Sequence, residues 1–156
     1  MQEFSRSLPM MLYRTLDTVM PRFREIFKKF GLTEQQWRVL RVLWQCRQIP
    51  FRELAELTLI PAPSLVGVID RLTRSGLVER RRSEADRRNV FILATRKGKM
   101  LEGKVRPEMD KAYAELRRSI DTRTWDTVMQ GLDKISAGDA ATTQPPAISK
   151  LQQNKD

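Results

Sequence analysis

Apolar residues recur at intervals of three and four along much of the chain, which is the spacing of one face of an α-helix. Between Leu12 and Phe30 the intervals are 4, 3, 4, 3 and 4, a seam suited to packing against another helix. The seam consists of Leu12, Leu16, Val19, Phe23, Ile26 and Phe30. Pro21 interrupts it, so we expect a kink or break near Met20.

Three further helices are predicted in the middle of the chain. Gly31 closes the first helix, and Thr33 to Gln36 forms a capping box that opens the second. A short third helix follows, and a fourth opens at Pro63 or Ser64 and ends in a Schellman cap at Gly76. The inward positions are Trp37, Leu40, Leu43 and Trp44, then Phe51, Leu54, Ala55 and Leu57, then Leu65, Val68, Ile69 and Leu72.

Two short extended segments, Leu77 to Arg82 and Asn89 to Thr95, predict a hairpin with a charged tip. Thr95 then caps a long fifth helix, in which Pro107 predicts a bend, and a sixth helix follows. From Gly138 onward the chain has no periodicity and few apolar residues, so residues 138–156 are expected to be a mobile tail.

This order of elements predicts a mainly α fold with a small β-hairpin wing. Residues 33–95 form a winged helix-turn-helix within a single domain that covers residues 8–137. The first, fifth and sixth helices carry apolar stripes that the winged unit does not need for its own core. We therefore expect residues 8–31 and 99–137 to be dimerisation helices, which would place two recognition helices about 34 Å apart.

Positive charge is concentrated in one part of the chain. The sequence has 29 Lys and Arg against 19 Asp and Glu, a formal net charge of +10. Residues 71–99 alone hold ten basic and three acidic residues, a net +7. A charged stretch alone can be a solvated surface, but beside a predicted wing it indicates a polyanionic partner, double-stranded DNA.

The composition excludes several classes of function. The chain has no histidine and one cysteine, Cys46, which removes histidine-based catalysis, most zinc sites and an internal disulfide. Paired acids and Gly-rich phosphate loops are missing too, so an enzyme built on Asp17 or Glu34 has no support. We expect a non-enzyme without cofactor, metal or membrane segment, and the lone cysteine fits a cytoplasmic location.

Reading a base edge requires small or polar side chains at the start of the recognition helix, with longer cations further along for phosphates. The candidates for close approach are Ala62, Pro63, Ser64 and Gly67. Arg71 and Arg74 are the candidates for phosphate contact. At the wing tip, Arg87 and Arg88 suit the minor groove, and Asp86 would brace one of them in an ion pair.

These residues resemble the MarR family of winged-helix regulators over roughly residues 8 to 137. The matching segments are Leu54-Ala55, Pro63-Ser64-Leu65 through Asp70-Arg71-Leu72, Gly76-Leu77-Val78-Glu79-Arg80 and Asp86-Arg87-Arg88. Residues 32–38 are similar to repressors of operons for homoprotocatechuate and related aromatic acids. The chain departs from the common pattern at Ala94 to Gly98, where Arg96 and Lys97 make the fifth helix more basic.

The resemblance implies a homodimer that binds a pseudo-palindromic operator and is released by a small aromatic acid, controlling aromatic-compound catabolism. Such a ligand needs a cation for its carboxylate and a flat apolar wall for its ring. Candidate effector-binding residues are Tyr13, Arg14, Trp37, Arg41 and Trp44. The alternative is that both tryptophans belong to the core and Arg41 is a surface cation.

Two other functions use the same features. An architectural protein would bind DNA through the basic region without base readout, and its affinity would fall with salt equally for every sequence. A redox-sensing regulator would use Cys46, which requires an exposed thiolate of low pKa. Ser64 and Gly67 favour close base approach and therefore sequence-specific binding.

Overall fold

The computed structural model describes residues 3–82 and 89–138. Within them lie a short 3₁₀ turn at Phe4–Arg6, six α-helices and three strands. The helices are α1 Leu8–Lys29, α2 Glu34–Leu43, α3 Phe51–Thr58, α4 Ala62–Arg74, α5 Arg96–Arg118 and α6 Thr122–Gly138. The strands are β1 Ile49–Pro50, β2 Val78–Arg82 and β3 Val90–Ala94. The predicted mainly α fold with a small β-wing is thereby confirmed.

The helix ends form as their sequences predict. Thr33 Oγ1 accepts a hydrogen bond from the Gln36 amide, and the Gln36 side chain accepts one from the Thr33 amide, completing the capping box. Gly31 and Gly76 adopt φ values of +67° and +69°, the left-handed conformation in which a Cβ is strained. The Leu77 amide donates to Leu72 O at 3.0 Å, which closes α4 in a Schellman motif.

The core is built around α2, α3, α4 and the inner face of the sheet. Leu40, Leu54, Leu65 and Ile92 are fully buried there. The sheet is antiparallel in the order β1-β3-β2, so β3 lies centrally and packs its apolar side chains on α2 and α3. Packing of this kind fixes the orientation of α4 relative to the two wing strands.

Two element boundaries differ from the prediction, and one strand was not predicted. Of the kink or break expected near Met20, the break does not occur: α1 continues as one helix through Pro21, which is exposed. Helix α4 begins at Ala62, one residue earlier than expected, with Pro63 in its first turn, where a missing N–H is tolerated. Strand β1 was missed because only two residues pair, Ile49 with Ile92 and Pro50 with Phe91.

Helices α1 and α5 pack side by side and leave apolar surface uncovered. Phe23 of α1 and Tyr113 of α5 have ring centroids 4.9 Å apart, and Lys29 pairs with Glu108. Towards its N-terminus the same face of α1 becomes exposed at Leu8, Leu12 and Leu16. On α6 the exposed apolar residues are Val128, Met129 and Ile135. In the described ranges, no helix combines the length and the hydropathy that a membrane span requires.

Candidate DNA-reading surface and effector cleft

One face of α4 presents the residues that the sequence assigns to base reading. Ala62, Pro63 and Ser64 are exposed in its first turn, and Gly67 is half-buried one turn later. Arg71 and Arg74 are exposed further along the helix. The opposite face is buried through Leu65, Val68, Ile69 and Leu72. The structure therefore brings six of the nine predicted DNA-binding residues onto one solvent-facing surface.

Gly67 leaves room for the Arg71 side chain on this surface. A Cβ added at Gly67 would lie 3.5 Å from Arg71 Nη1, so the guanidinium extends back along the helix toward its N-terminus. Arg71 and Arg74 form no ion pair with the residues that the structure describes. Both cations are thus available for an anion that approaches the start of α4.

An ion pair fixes α4 to the wing. Arg80 Nη2 on β2 lies 2.7 Å from Asp70 Oδ1 on α4. Sequence reasoning missed this pair, although Asp70 is the one acidic residue of α4 and Arg80 follows it by ten positions. Arg52 and Arg82 line, with Arg80, an open cleft of about 590 Å³ between α3, α4 and the wing strands. The wing-tip candidates Asp86, Arg87 and Arg88 lie outside the described residues.

A small polar cleft of about 80 Å³ brings three of the five predicted effector residues together. These are Trp37, Arg41 and Trp44, all from α2 or its C-cap. Its other side is formed by α5, which the sequence did not indicate. The α5 residues are Glu102, Arg106, Met109, Asp110 and Tyr113. Arg106 pairs with Glu102, whereas Arg41 has no ion pair with any described residue.

The two tryptophans serve both packing and the cleft. Trp37 stacks on Phe27 at 5.1 Å and meets Trp44 edge-on at 5.4 Å between ring centroids. Both are half-buried, so each ring has one side in the core and another on the cleft. The prediction that they point inward is therefore only partly correct. Trp44 Nε1 donates a hydrogen bond to Gly98 O at 3.0 Å.

A second, larger cleft of about 400 Å³ lies on the other side of Trp37, between α1, α2 and α5. It shares Trp37, Met109 and Tyr113 with the polar cleft and is otherwise mostly apolar. Sequence reasoning missed it because its walls come from three helices far apart in the chain. The remaining lining residues are Leu16, Val19, Met20, Phe23, Arg24, Phe27, Glu34, Arg38 and Leu116.

Glu34 joins α1 to α2 at the rim of the larger cleft. Its carboxylate oxygens lie 3.3 Å from Arg24 Nε and 2.6 Å from Arg38 Nη2. Partial burial acts to raise the pKa of Glu34, but the hydrogen bonds and charges of Arg38 and Arg24 outweigh burial and lower it below its ordinary value. Glu34 therefore stays ionised at neutral pH, and its single negative charge offsets half of the positive charge of the two arginines at that rim.

Two predicted effector residues lie elsewhere. Tyr13 and Arg14 are exposed on the N-terminal half of α1 and do not line either cleft of the protomer. Cys46 is buried, and its thiol donates to Val42 O at 3.3 Å. Burial, with a smaller effect of Glu53, raises the pKa of the Cys46 thiol to about 11. A thiol that remains protonated at neutral pH does not favour the redox-sensing alternative.

Comparison with known proteins decides the family. The model of the MarR family matches residues 32–90, which span α2 to the start of β3. The homoprotocatechuate degradative operon repressor of Escherichia coli is 36% identical over 131 residues, 84% of this chain and 88% of that protein. The chain belongs to the MarR family. The predicted resemblance to aromatic-acid operon repressors is also confirmed.

Solved structures of MarR-family regulators share the fold. Transcriptional regulator PA4135 is 32% identical with a TM-score of 0.77, covering 83% of this chain and 95% of its own. NadR in complex with 4-hydroxyphenylacetate is 29% identical with a TM-score of 0.74, covering 86% and 96%. This MarR-family chain is thus a transcriptional regulator with a winged helix-turn-helix fold, similar to proteins that repress aromatic-degradation operons.

Proposed function

We propose that the protein is a homodimeric repressor of aromatic-compound catabolism genes, released from its operator by a small aromatic carboxylic acid. The observation that carries this proposal is Arg41, an arginine without a described ion-pair partner beside two tryptophan rings in one cleft. An arginine binds a carboxylate through two parallel hydrogen bonds, and the rings supply the flat apolar wall. The aromatic acid in the related NadR complex supports this class of ligand.

Operator binding is assigned to the exposed face of α4, with the wing beside it. In each subunit the first turn of α4 would enter the major groove, while Arg71 and Arg74 contact phosphates. We keep Asp86, Arg87 and Arg88 as the proposed wing-tip contacts to the minor groove. Arg52 and Arg82 are added to the phosphate-contact candidates, because their cleft opens between α4 and the wing.

Dimerisation is assigned to residues 8–31 and 99–137. The apolar stripe of α1 is buried at Phe23 and Phe27 and continues into solvent at Leu8, Leu12 and Leu16, where no residue within 3–82 or 89–138 covers it. The exposed side chains of α6 form a second such surface. A second copy of the chain would bury both surfaces and hold two copies of α4 on one face of the DNA.

Gly67→Ala is expected to change stability and DNA binding in opposite directions. Alanine favours a helix interior over glycine by about 0.5–1 kcal/mol, and the added Cβ meets only the flexible Arg71 tip at 3.5 Å. Within the groove the same methyl group would hold the helix away from the base edges, so operator affinity should fall. Thermal unfolding and fluorescence anisotropy measure the two effects. Unchanged affinity would show that this side of α4 does not approach DNA.

Arg41→Gln is expected to shift the response to an aromatic acid to much higher concentrations of the acid while operator binding remains. Losing a charge-assisted bidentate contact should weaken binding of 4-hydroxyphenylacetate by about 10- to 100-fold. The measurement is anisotropy titration of a duplex selected by the wild-type protein from random DNA, with increasing concentrations of the acid. Arg118→Gln, at the exposed end of α5, is the matched control and should keep the wild-type response.

The same titration separates the repressor from the architectural alternative. A specific repressor should bind the selected duplex far more tightly than unrelated duplexes at about 150 mM salt. Equal affinity for all duplexes, falling equally with salt, would instead establish binding without base readout. If the wild-type protein binds the selected duplex specifically but aromatic acids do not release it at any concentration, the protein is a repressor with a different effector.

A further inference from the structure

Trp44 reaches from the polar cleft to the first turn of α5. Its indole ring faces the cleft together with Arg41, and its Nε1 donates to Gly98 O at 3.0 Å. Trp44 itself is the C-cap of α2, where its amide donates to Leu40 O at 2.9 Å. The ring thus connects the end of α2 to α5 across the floor of the cleft.

The first turn of α5 is tied in turn to the end of the DNA-reading helix. The Thr95 amide donates to Leu77 O at 3.1 Å, and Thr95 Oγ1 donates to Gly76 O at 2.7 Å. Lys97 Nζ donates to Ser75 O at 2.8 Å. Ser75, Gly76 and Leu77 are the residues that terminate α4 and lead into β2.

Gly98 makes this junction tight. A Cβ at Gly98 would lie 2.2 Å from Leu77 O and 3.2 Å from Leu77 C, so the two backbones are in direct contact without any side chain between them. A displacement of Gly98 cannot be absorbed by a change of rotamer there. It must move the α4 terminus or break the hydrogen bonds that hold it.

We propose that Trp44 is a positioning residue that couples the effector cleft to α4 through its indole N–H. This inference rests on the proposed function in one respect, that the cleft is the effector site. An aromatic ring packed on Trp44 would turn the indole, and the N–H···O bond weakens steeply as its angle departs from linear. The acid and the operator then favour different positions of the junction between α4 and α5. Binding of either one therefore weakens binding of the other by the same factor.

Trp44→Phe tests the proposal because it keeps an aromatic ring and removes the N–H donor. The measured ratio is the operator Kd at saturating 4-hydroxyphenylacetate divided by the Kd without the acid. This ratio should be about fivefold smaller in Trp44→Phe than in the wild-type protein. Trp44→His at pH 8 places a ring N–H donor at the same bonded distance from Cβ and should restore part of this ratio.

A second measurement needs no effector. The amides of Gly76 and Leu77 donate to Thr73 O and Leu72 O. Their hydrogen exchange, compared at pH 8, should become faster in Trp44→Phe and return toward the wild-type rate in Trp44→His. Unchanged exchange in Trp44→Phe overturns the proposal. If Trp44→Phe still binds the acid and keeps the wild-type ratio of operator Kd values, the proposal is overturned as well. A third outcome is faster exchange in Trp44→Phe combined with a wild-type protein that does not respond to the acid. This outcome supports the link from Trp44 to the α4 terminus and refutes the proposed effector instead.

Discussion

Gly98→Ala is expected to destabilise the protein by at least about 1–3 kcal/mol, which is the usual cost of overpacking a core. The new methyl group would lie 2.2 Å from Leu77 O, well inside van der Waals contact. Leu77 O belongs to the backbone and accepts from the Thr95 amide, so it cannot turn aside as a side chain would. The gain of about 1 kcal/mol in helix propensity is too small to offset this clash.

Gly103→Ala, one and a half turns further along α5, is the matched control. Nothing lies within 4 Å of a Cβ at that position, and the residue is exposed. The same chemical change should therefore stabilise the protein by about 0.5–1 kcal/mol. Urea unfolding followed by circular dichroism should show opposite shifts of the midpoint at an unchanged slope. A Gly98→Ala variant as stable as wild type would show that α5 and the α4 terminus are not in contact.

The fold follows from local sequence because its main signals are short-range. Thr33 with Gln36, and Gly31 and Gly76 as helix ends, act within a few residues of themselves, and the structure contains all of these caps. Helical periodicity likewise identifies the buried face of α4. Pro21 shows the limit of such signals, because the remaining hydrogen bonds of a 22-residue helix and its packing on α5 maintain the helix through it.

The site could be predicted only where its residues share one helix. The α4 surface and the group of Trp37, Arg41 and Trp44 on α2 follow from helical spacing alone. Three features of the site depend on how the helices pack: the α5 wall of the cleft, the Asp70–Arg80 pair and the Trp44 to Gly98 hydrogen bond. They join residues that are 10 to 76 positions apart in the chain. A single sequence carries no direct signal for such pairs.

Ser64→Glu is expected to weaken specific operator binding strongly while the protein remains folded. Ser64 is exposed in the first turn of α4, where a glutamate stabilises the helix through its dipole, so the free energy of unfolding should not fall. In the major groove the carboxylate would face base edges and phosphates, and any pairing with Arg71 would take that cation away from the DNA. A lost base contact costs about 1–3 kcal/mol. Because both subunits of the proposed dimer carry the change, operator affinity should fall by about 30-fold or more.

Gln130→Glu adds the same charge to the exposed polar side of α6, opposite Val128 and Ile135, and serves as the matched control. Long-range repulsion from DNA is screened beyond about 10 Å at 0.1 M salt, so this variant should bind the operator like wild type. Anisotropy titrations of both variants, with size-exclusion chromatography to confirm the dimer, make the comparison. If both lose affinity equally, net charge rather than the position of α4 governs binding. If only Ser64→Glu loses it, the first turn of α4 lies in the groove.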